Sequence, residues 1–252
     1  MEMYYAPEYD GNSDTITFSG PEARHIARVL RHRPGDLVSV TDGRGGEYEV
    51  ELQEVDSRMV SGRIRSRDTG RREPRCRVDL AQGIIKSDRM DSIVDGVTQI
   101  GVGRILPVET ARTVAGLSPA KLARLRSIAV GAMKVATRTV LPVVEEPVGL
   151  ARLIELAPGY DQAVLAYEGE RARGIDDVLC RETASVILVV GPEGGFEPEE
   201  VVRLQAAGVQ SFSLGPRRLR AETAAVVATA LVFGRLGGLR HSYAEQPRKG
   251  GG

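Results

Sequence analysis

At 252 residues the chain is long enough to bury a substantial core and, by size, to form more than one domain. Its 34 basic side chains balance its 34 acidic ones, so any site for a polyanion must be a local patch and not a property of the whole surface. No apolar run has the length of a bilayer span, Glu2, Glu8 and Asp10 interrupt any leader, and the two distant cysteines, Cys76 and Cys180, form neither a disulfide framework nor a zinc spacing; the chain reads as a cytosolic protein with reduced thiols and no metal.

Residues 1–72 alternate apolar and polar positions over the short runs Leu37–Val40, Tyr48–Leu52 and Met59–Ile64, with turn signals at Pro34-Gly35-Asp36 and Asp42–Gly46 between them. That pattern predicts a small β-barrel-like domain carrying one short helix. The helix is expected over Arg24–Arg33, where Ile26, Val29 and Leu30 form an apolar stripe and Arg24, Arg28 and Arg31 occupy another face. Further on, Arg58, Arg63, Arg65, Arg67, Arg71, Arg72, Arg75 and Arg77 face only Asp68 and Glu73. A charge run by itself is a solvated face, but the consistent use of arginine, whose planar fork suits bidentate pairing, leans towards phosphate contact. Arg65–Pro74 lacks apolar periodicity and is expected to be a charged linker.

From Val78 the rhythm becomes strand–helix alternation. Val78–Ile84, Arg104–Val108, Ala163–Tyr167, Ser185–Val190 and Phe212–Leu214 read as strands. Ser87 is placed to cap a helix carrying Met90, Ile93, Val94, Val97 and Ile100, and Ser118-Pro119 opens another with Leu122, Leu125, Ile128, Ala132 and Met133 inward. Pro198–Ala207 is a third helix. Ala221–Leu236 is a fourth, so apolar all round that a partner subunit is a natural cover for it. Alternation of this kind argues for an α/β domain on a parallel sheet over 73–243, followed by a flexible polar tail, 244–252.

Two glycine-containing loops carry the chemistry: Val190-Gly-Pro-Glu-Gly-Gly-Phe196 and Gly215-Pro-Arg-Arg-Leu-Arg-Ala-Glu-Thr-Ala224, each after an apolar run. Glycine lets a ligand approach the backbone, and a helix start offers unpaired N–H groups. A backbone-lined cofactor pocket follows, with Glu193, Arg220, Glu222 and Thr223 as polar contributors; a plain strand-to-helix turn is the competing reading of Gly191–Gly195. The first loop is neither a dinucleotide fingerprint nor a Walker loop, no G-x-S-x-G occurs, and the three histidines (His25, His32, His241) lie outside the α/β core, which argues against triad chemistry.

The paired segments Leu188–Phe196 and Leu214–Ala224 resemble those of the SPOUT methyltransferases and, more narrowly, of the bacterial small-subunit ribosomal RNA uridine N3-methyltransferase family (RsmE). His25-x-x-x-Val29-Leu-Arg31 with Gly35-Asp36 is similar to that family's PUA-like front domain. The resemblance implies a C-terminal trefoil knot binding S-adenosyl-L-methionine, a homodimer, and ribosomal RNA as partner. It implies that Val190, Gly191, Glu193, Gly194, Gly195, Leu214, Gly215, Leu219 and Thr223 hold the cofactor. Arg220 and Glu222 fall where cofactor meets RNA, Arg220 to hold the uridine or a phosphate. Glu222 stands equally as catalytic group or as a first-turn acid stabilising its helix. Lys86 and Arg89 match the family's basic pair, and Arg138 is the arginine retained from a second motif; these join Arg24, Arg28 and Arg31 as RNA contacts. Gly96, Gln99, Lys134 and Val135 depart from the family's usual residues. Two other functions remain compatible: a catalytically silent knotted RNA-binding or ribosome-assembly protein, and an enzyme of this class acting on a different RNA.

Overall fold

The computed structural model describes residues 3–70, 72–114 and 116–239; Arg71, His241 and the predicted tail 244–252 lie outside the described residues. The front of the chain forms β1 (Met3–Tyr5), β2 (Thr15–Ser19), α1 (Gly20–Arg24), β3 (Leu37–Thr41), β4 (Gly46–Val55) and β5 (Met59–Thr69). These strands make a five-stranded sheet in the order β1-β3-β4-β5-β2, antiparallel except where β1 joins β3. Alternate residues such as Val38, Val40, Val50 and Leu52 point into one core with Tyr4, Ile16 and Phe18.

Two expectations fail here. The segment Arg65–Thr69 is not a linker but the second half of β5: after a bulge at Arg65, Ser66–Thr69 pair with Gly46–Glu49 of β4. Charge replaces apolar alternation as its partner: Arg65 meets Glu51, Arg67 meets Asp14 at 2.8 Å, and the following Arg72 meets Glu47 at 2.7 Å. Much of the arginine run is thus spent on acids of its own domain. The helix predicted over 24–33 is α1 running into a wider π turn at His25–Val29, with Arg31 beyond it at φ 57°. Of the predicted stripe only Ile26 is buried; Val29 and Leu30 are 64% and 40% exposed. The wider turn and the left-handed residue move Arg24, Arg28 and Arg31 off a common helical face.

The second domain runs β6 (Arg77–Gly83), α2 (Ser87–Ile100), β7 (Arg104–Glu109), α3 (Pro119–Val135), β8 (Val143–Val144), β9 (Val148–Gly149), α4 (Leu150–Leu156), β10 (Gln162–Ala166), α5 (Ile175–Val178), β11 (Ser185–Val190), α6 (Pro198–Ala206), β12 (Gln210–Phe212) and α7 (Ala221–Arg235). Its sheet is parallel throughout, in the order β12-β10-β11-β6-β7-β8 with β9 beside β7. Period-2 packing sorts each strand between two layers. Val186, Leu188 and Val190 join α2, α3 and α7 on one face, while Ile187 and Val189 join α4 and α6 on the other. Ser118 caps α3, its Oγ accepting from Lys121 N at 3.4 Å. Lys86, not Ser87, holds the cap position of α2. The last strand ends at Phe212, two residues short of the predicted end, which frees Leu214 for a loop.

The domains meet through the loop Asp42–Gly46, which runs beside Thr139–Leu141. Gly45 N donates to Thr139 O at 2.9 Å and Leu141 N to Gly43 O at 2.9 Å. Gly43 has φ +74°, and a Cβ there would lie 2.7 Å from the Tyr5 ring, so glycine is required for the approach. Glu73 completes the junction: its carboxylate accepts from Thr139 N, Val140 N and the Arg138 guanidinium at 2.8, 3.0 and 2.8 Å.

Candidate cofactor cleft and RNA-facing surface

The carboxyl ends of β10, β11 and β12 lie side by side, and the three loops that leave them enclose a cleft of about 730 Å³. Open parallel sheets place ligands at this edge, where loop backbone is free of strand pairing. The first wall is Tyr167–Arg171, the second Gly191–Gly195, the third Ser213–Leu219, with Ala221 and Ala224 of α7 closing the floor.

Each wall is held from a different neighbour. The second loop crosses the end of β6 so closely that a Cβ on Gly83 would sit 2.5 Å from Pro192 N. Gln82 Nε2 donates to Gly191 O at 3.1 Å, and Gly195 N donates to Pro192 O at 3.0 Å. Gly195 has φ +69°, and a Cβ on it would collide with the Glu168 carboxylate of the first wall. The first wall is organised by Glu170, which accepts from Ala172 N at 2.9 Å, Arg171 N at 3.0 Å and Arg173 Nη2 at 2.8 Å. The Ala172 N–H, then the Arg173 guanidinium, hold its carboxyl down at about 2. The third wall is tied to the first by Ser213 N donating to Arg173 O at 2.8 Å.

Val190, Gly191, Glu193, Gly194, Gly195, Leu214, Gly215 and Leu219 all line the cleft. Thr223 does not. Positions 221 and 224 share the cleft face of α7, and Thr223, two residues from Ala221, is exposed on another side. Glu222 is turned towards α2, its Oε1 4.0 Å from Arg89 Nε, while its Oε2 is buried without a hydrogen-bond partner. Arg89 Nη1 also lies 3.5 Å from Glu193 Oε1, and Lys86 N donates to that oxygen at 3.4 Å. Arg89, Glu193 and Glu222 therefore form one charged group beside the cleft, with the Lys86 backbone N–H as a further donor to Glu193. Arg220 occupies the cap position of α7 with its side chain exposed, one residue past the cleft-lining Leu219. The first wall, Tyr167–Arg171, is not marked by any glycine motif in the sequence; its only signal is Glu168-Gly169-Glu170 directly after a predicted buried strand.

The residues expected to contact RNA divide. Arg24, Arg28, Arg31 and Lys86 are exposed, Arg28 reaching Ser57 Oγ at 3.2 Å. Arg138 is not on the surface: it is 4% exposed, its guanidinium given to Glu73 and to the carbonyls of Thr98 and Val102 at 2.8 and 3.0 Å. With four of its five N–H groups given to Glu73 and to two carbonyls, and the side chain buried, this arginine closes a helix end and a domain junction and is out of reach of a phosphate. Of the departing residues, Gly96 admits α7, since a Cβ there would lie 2.8 Å from Val226, and Lys134 pairs with Glu22 of α1 at 2.9 Å. Gln99 bonds Asp95 at 2.8 Å on the exposed face of α2, and Val135 is exposed.

The two-domain chain, with its parallel sheet and loop-lined cleft, is an RNA methyltransferase by its sequence: residues 71–233 match the RNA methyltransferase domain family and residues 18–64 the RNA methyltransferase PUA domain. The chain is 30% identical over 228 residues to ribosomal RNA small subunit methyltransferase E of Bacillus subtilis, covering 86% of this chain and 89% of that one. It is 30% identical over 241 residues to the Mycobacterium tuberculosis protein of the same name, covering 91% and 90%. Among solved structures, the Neisseria gonorrhoeae ribosomal RNA small subunit methyltransferase E bound to S-adenosyl methionine superposes with a TM-score of 0.85 at 28% identity, covering 93% of this chain and 97% of that one. The chain belongs to the ribosomal RNA small subunit methyltransferase E family.

Proposed function

We propose that this protein transfers the methyl group of S-adenosyl-L-methionine to N3 of a uridine in small-subunit ribosomal RNA. The observation that carries this reading is the cleft walled by three loops at the carboxyl edge of β10, β11 and β12. Its volume falls within the range of about 300–1,000 Å³ usual for cofactor sites. The glycine backbone at Gly191, Gly194 and Gly195 leaves room for close approach, and the carboxylates of Glu168 and Glu193 suit ribose hydroxyls and cationic groups. When bound, the cofactor supplies an electrophilic methyl on a sulfonium.

The chain's part is positioning. The three loops hold the cofactor; Arg220 stands beside them at the start of α7 to fix the uridine or its phosphate. Glu222 fastens the start of α7 to Arg89. Arg24, Arg28, Arg31, Lys86 and Arg89 present the basic surface to the RNA backbone. Supporting a homodimer, α7 buries Ala225, Ala228, Val232 and Phe233 yet leaves Leu231 40% exposed, an apolar position that a second copy would cover. The passage of α7 back across α2 and β11 after the third loop is compatible with a trefoil knot, and the reading places the protein in the cytoplasm.

The test is mass spectrometry of small-subunit rRNA nucleosides from a deletion strain, with and without the wild-type gene. Loss of 3-methyluridine and its return on complementation are expected. Unchanged 3-methyluridine, with no methyl transfer by the purified protein, would leave a silent RNA-binding role or a different RNA target.

A further inference from the structure

No sequence motif points to Arg112, yet its side chain lies against the outer edge of the second wall. Its Nη1 donates to Gly194 O at 2.6 Å, while Nε and Nη2 donate to the two carboxylate oxygens of Glu197 at 2.8 and 3.1 Å. Glu197 is the cap residue of α6, so one planar guanidinium joins the loop to the helix that follows it. The backbone on either side of Arg112 is also fixed. Ala111 N donates to Glu200 Oε1 at 2.8 Å, and Glu200, 7% exposed, accepts from Glu197 N at 2.9 Å through its other oxygen. Thr110 N donates to Thr113 Oγ1 at 2.9 Å and closes the turn after β7. The fit is close: a Cβ on Gly194 would lie 3.2 Å from Arg112 Cβ.

The inner edge of the same loop is held by Gln82, and the Glu193 side chain by Lys86 N. Arg112 holds the opposite edge, at the exposed apex where the loop's glycines have no side chain of their own. It does not line the cleft. We propose that Arg112 is a positioning residue for the cofactor, setting the backbone of Gly194 and Gly195 in the shape the ligand needs. This rests on the reading that the cleft takes S-adenosylmethionine. The effect falls on affinity and not on global stability. Side chains 41% and 39% exposed contribute little to folding, whereas a loop that must be ordered on binding weakens the complex directly.

The experiment is calorimetric titration of the full-length protein with S-adenosylmethionine and, separately, S-adenosylhomocysteine, for wild type, Arg112→Met, Arg112→Lys and Glu197→Gln. Arg112→Met is expected to raise both Kd values about tenfold, the scale of one charge-assisted hydrogen bond. Arg112→Lys recovers part of this through a single donor to Gly194 O, and Glu197→Gln, which keeps that hydrogen bond, costs less than Arg112→Met. The ligand-free melting temperature and the KM for RNA stay at the wild-type values, as does kcat at saturating cofactor. Arg112→Met binding within about twofold of wild type refutes the role, because surface changes without function stay in that range. So does a rise in Kd matched by a fall in ligand-free melting temperature and not recovered by lysine. A wild-type protein that binds neither probe overturns the cofactor reading itself, and the Arg112 role with it.

Discussion

Gly195→Ala tests the cleft where backbone conformation and ligand space coincide. The residue has φ +69°, and holding a Cβ in that left-handed region costs roughly 1–2 kcal/mol. The new methyl also strikes the Glu168 carboxylate across the cleft. Glu168 is exposed, so its carboxylate swings aside at little cost to folding, but in doing so it leaves the first wall. The ligand-free variant should therefore melt roughly 2–8 °C below wild type, from about 2–4 °C per kcal/mol for a domain of this size. Cofactor affinity should fall further, by roughly tenfold or more, because a loop and a carboxylate are both displaced. Glu168→Ala in the same background removes the collision and leaves the φ strain. The double variant should regain a little stability and no affinity. Thermal melts and calorimetric titration of the three proteins measure all of this. A Gly195→Ala protein that binds S-adenosylmethionine as wild type does, despite a lower melting temperature, would show that Gly191–Gly195 is not a wall of the cofactor site.

Arg220→Ala should cut methyl transfer on the order of a hundredfold while leaving cofactor Kd nearly unchanged; parallel loss of cofactor binding in a titration would make Arg220 part of the cofactor site instead. Glu73→Gln strips the counter-charge from the buried Arg138 guanidinium, and at about 3 kcal/mol for a broken buried pair the melting temperature should drop roughly 6–12 °C. A drop no larger than that of an exposed pair would refute the account of Arg138 as a junction residue. Glu170 has its folded pKa depressed to about 2 from 4.5, so the stability it contributes is present above pH 4.5 and is lost as pH falls from there to about 2. Melts of wild type and Glu170→Gln at descending pH should converge across that window, and a gap independent of pH would sink the assignment. Neutralising Arg28 and Arg31 together should flatten the salt dependence of RNA binding by roughly one unit of log–log slope for each phosphate no longer neutralised, with cofactor affinity untouched in parallel titrations.

Where the chain was legible, one physical signal dominated its stretch. Ser185–Val190 is apolar at every position but the first because a central parallel strand is covered on both faces, and its bounds are those the sequence predicts. The glycine loops were legible for a related reason: a residue without a side chain marks a place where backbone must be reached, and Gly191, Gly194, Gly195 and Gly215 all line the cleft. What the pattern concealed was set by partners distant in sequence. β5 continues through Arg65–Thr69 with Glu51 beside Arg65 and Asp14 beside Arg67, and no local period records that. Arg138 looked like a surface cation because its acceptors, Glu73, Thr98 and Val102, are 65, 40 and 36 residues away. Arg112 was invisible for the same reason, since Gly194 is 82 residues from it.

Arginine is therefore the residue type whose role a sequence conceals most completely here. A planar cation with five donors serves a phosphate and a carboxylate–carbonyl pair equally well, and only the fold decides which is within reach. The division follows burial and acceptor supply. Arg65, Arg67, Arg72, Arg112 and Arg138 each meet an acid on their own chain, whereas Arg31 and Arg220 stand exposed beside the two surfaces assigned to RNA. A balanced net charge is then no obstacle to binding a polyanion, because what a phosphate meets is the local set of exposed cations and not the sum over the chain.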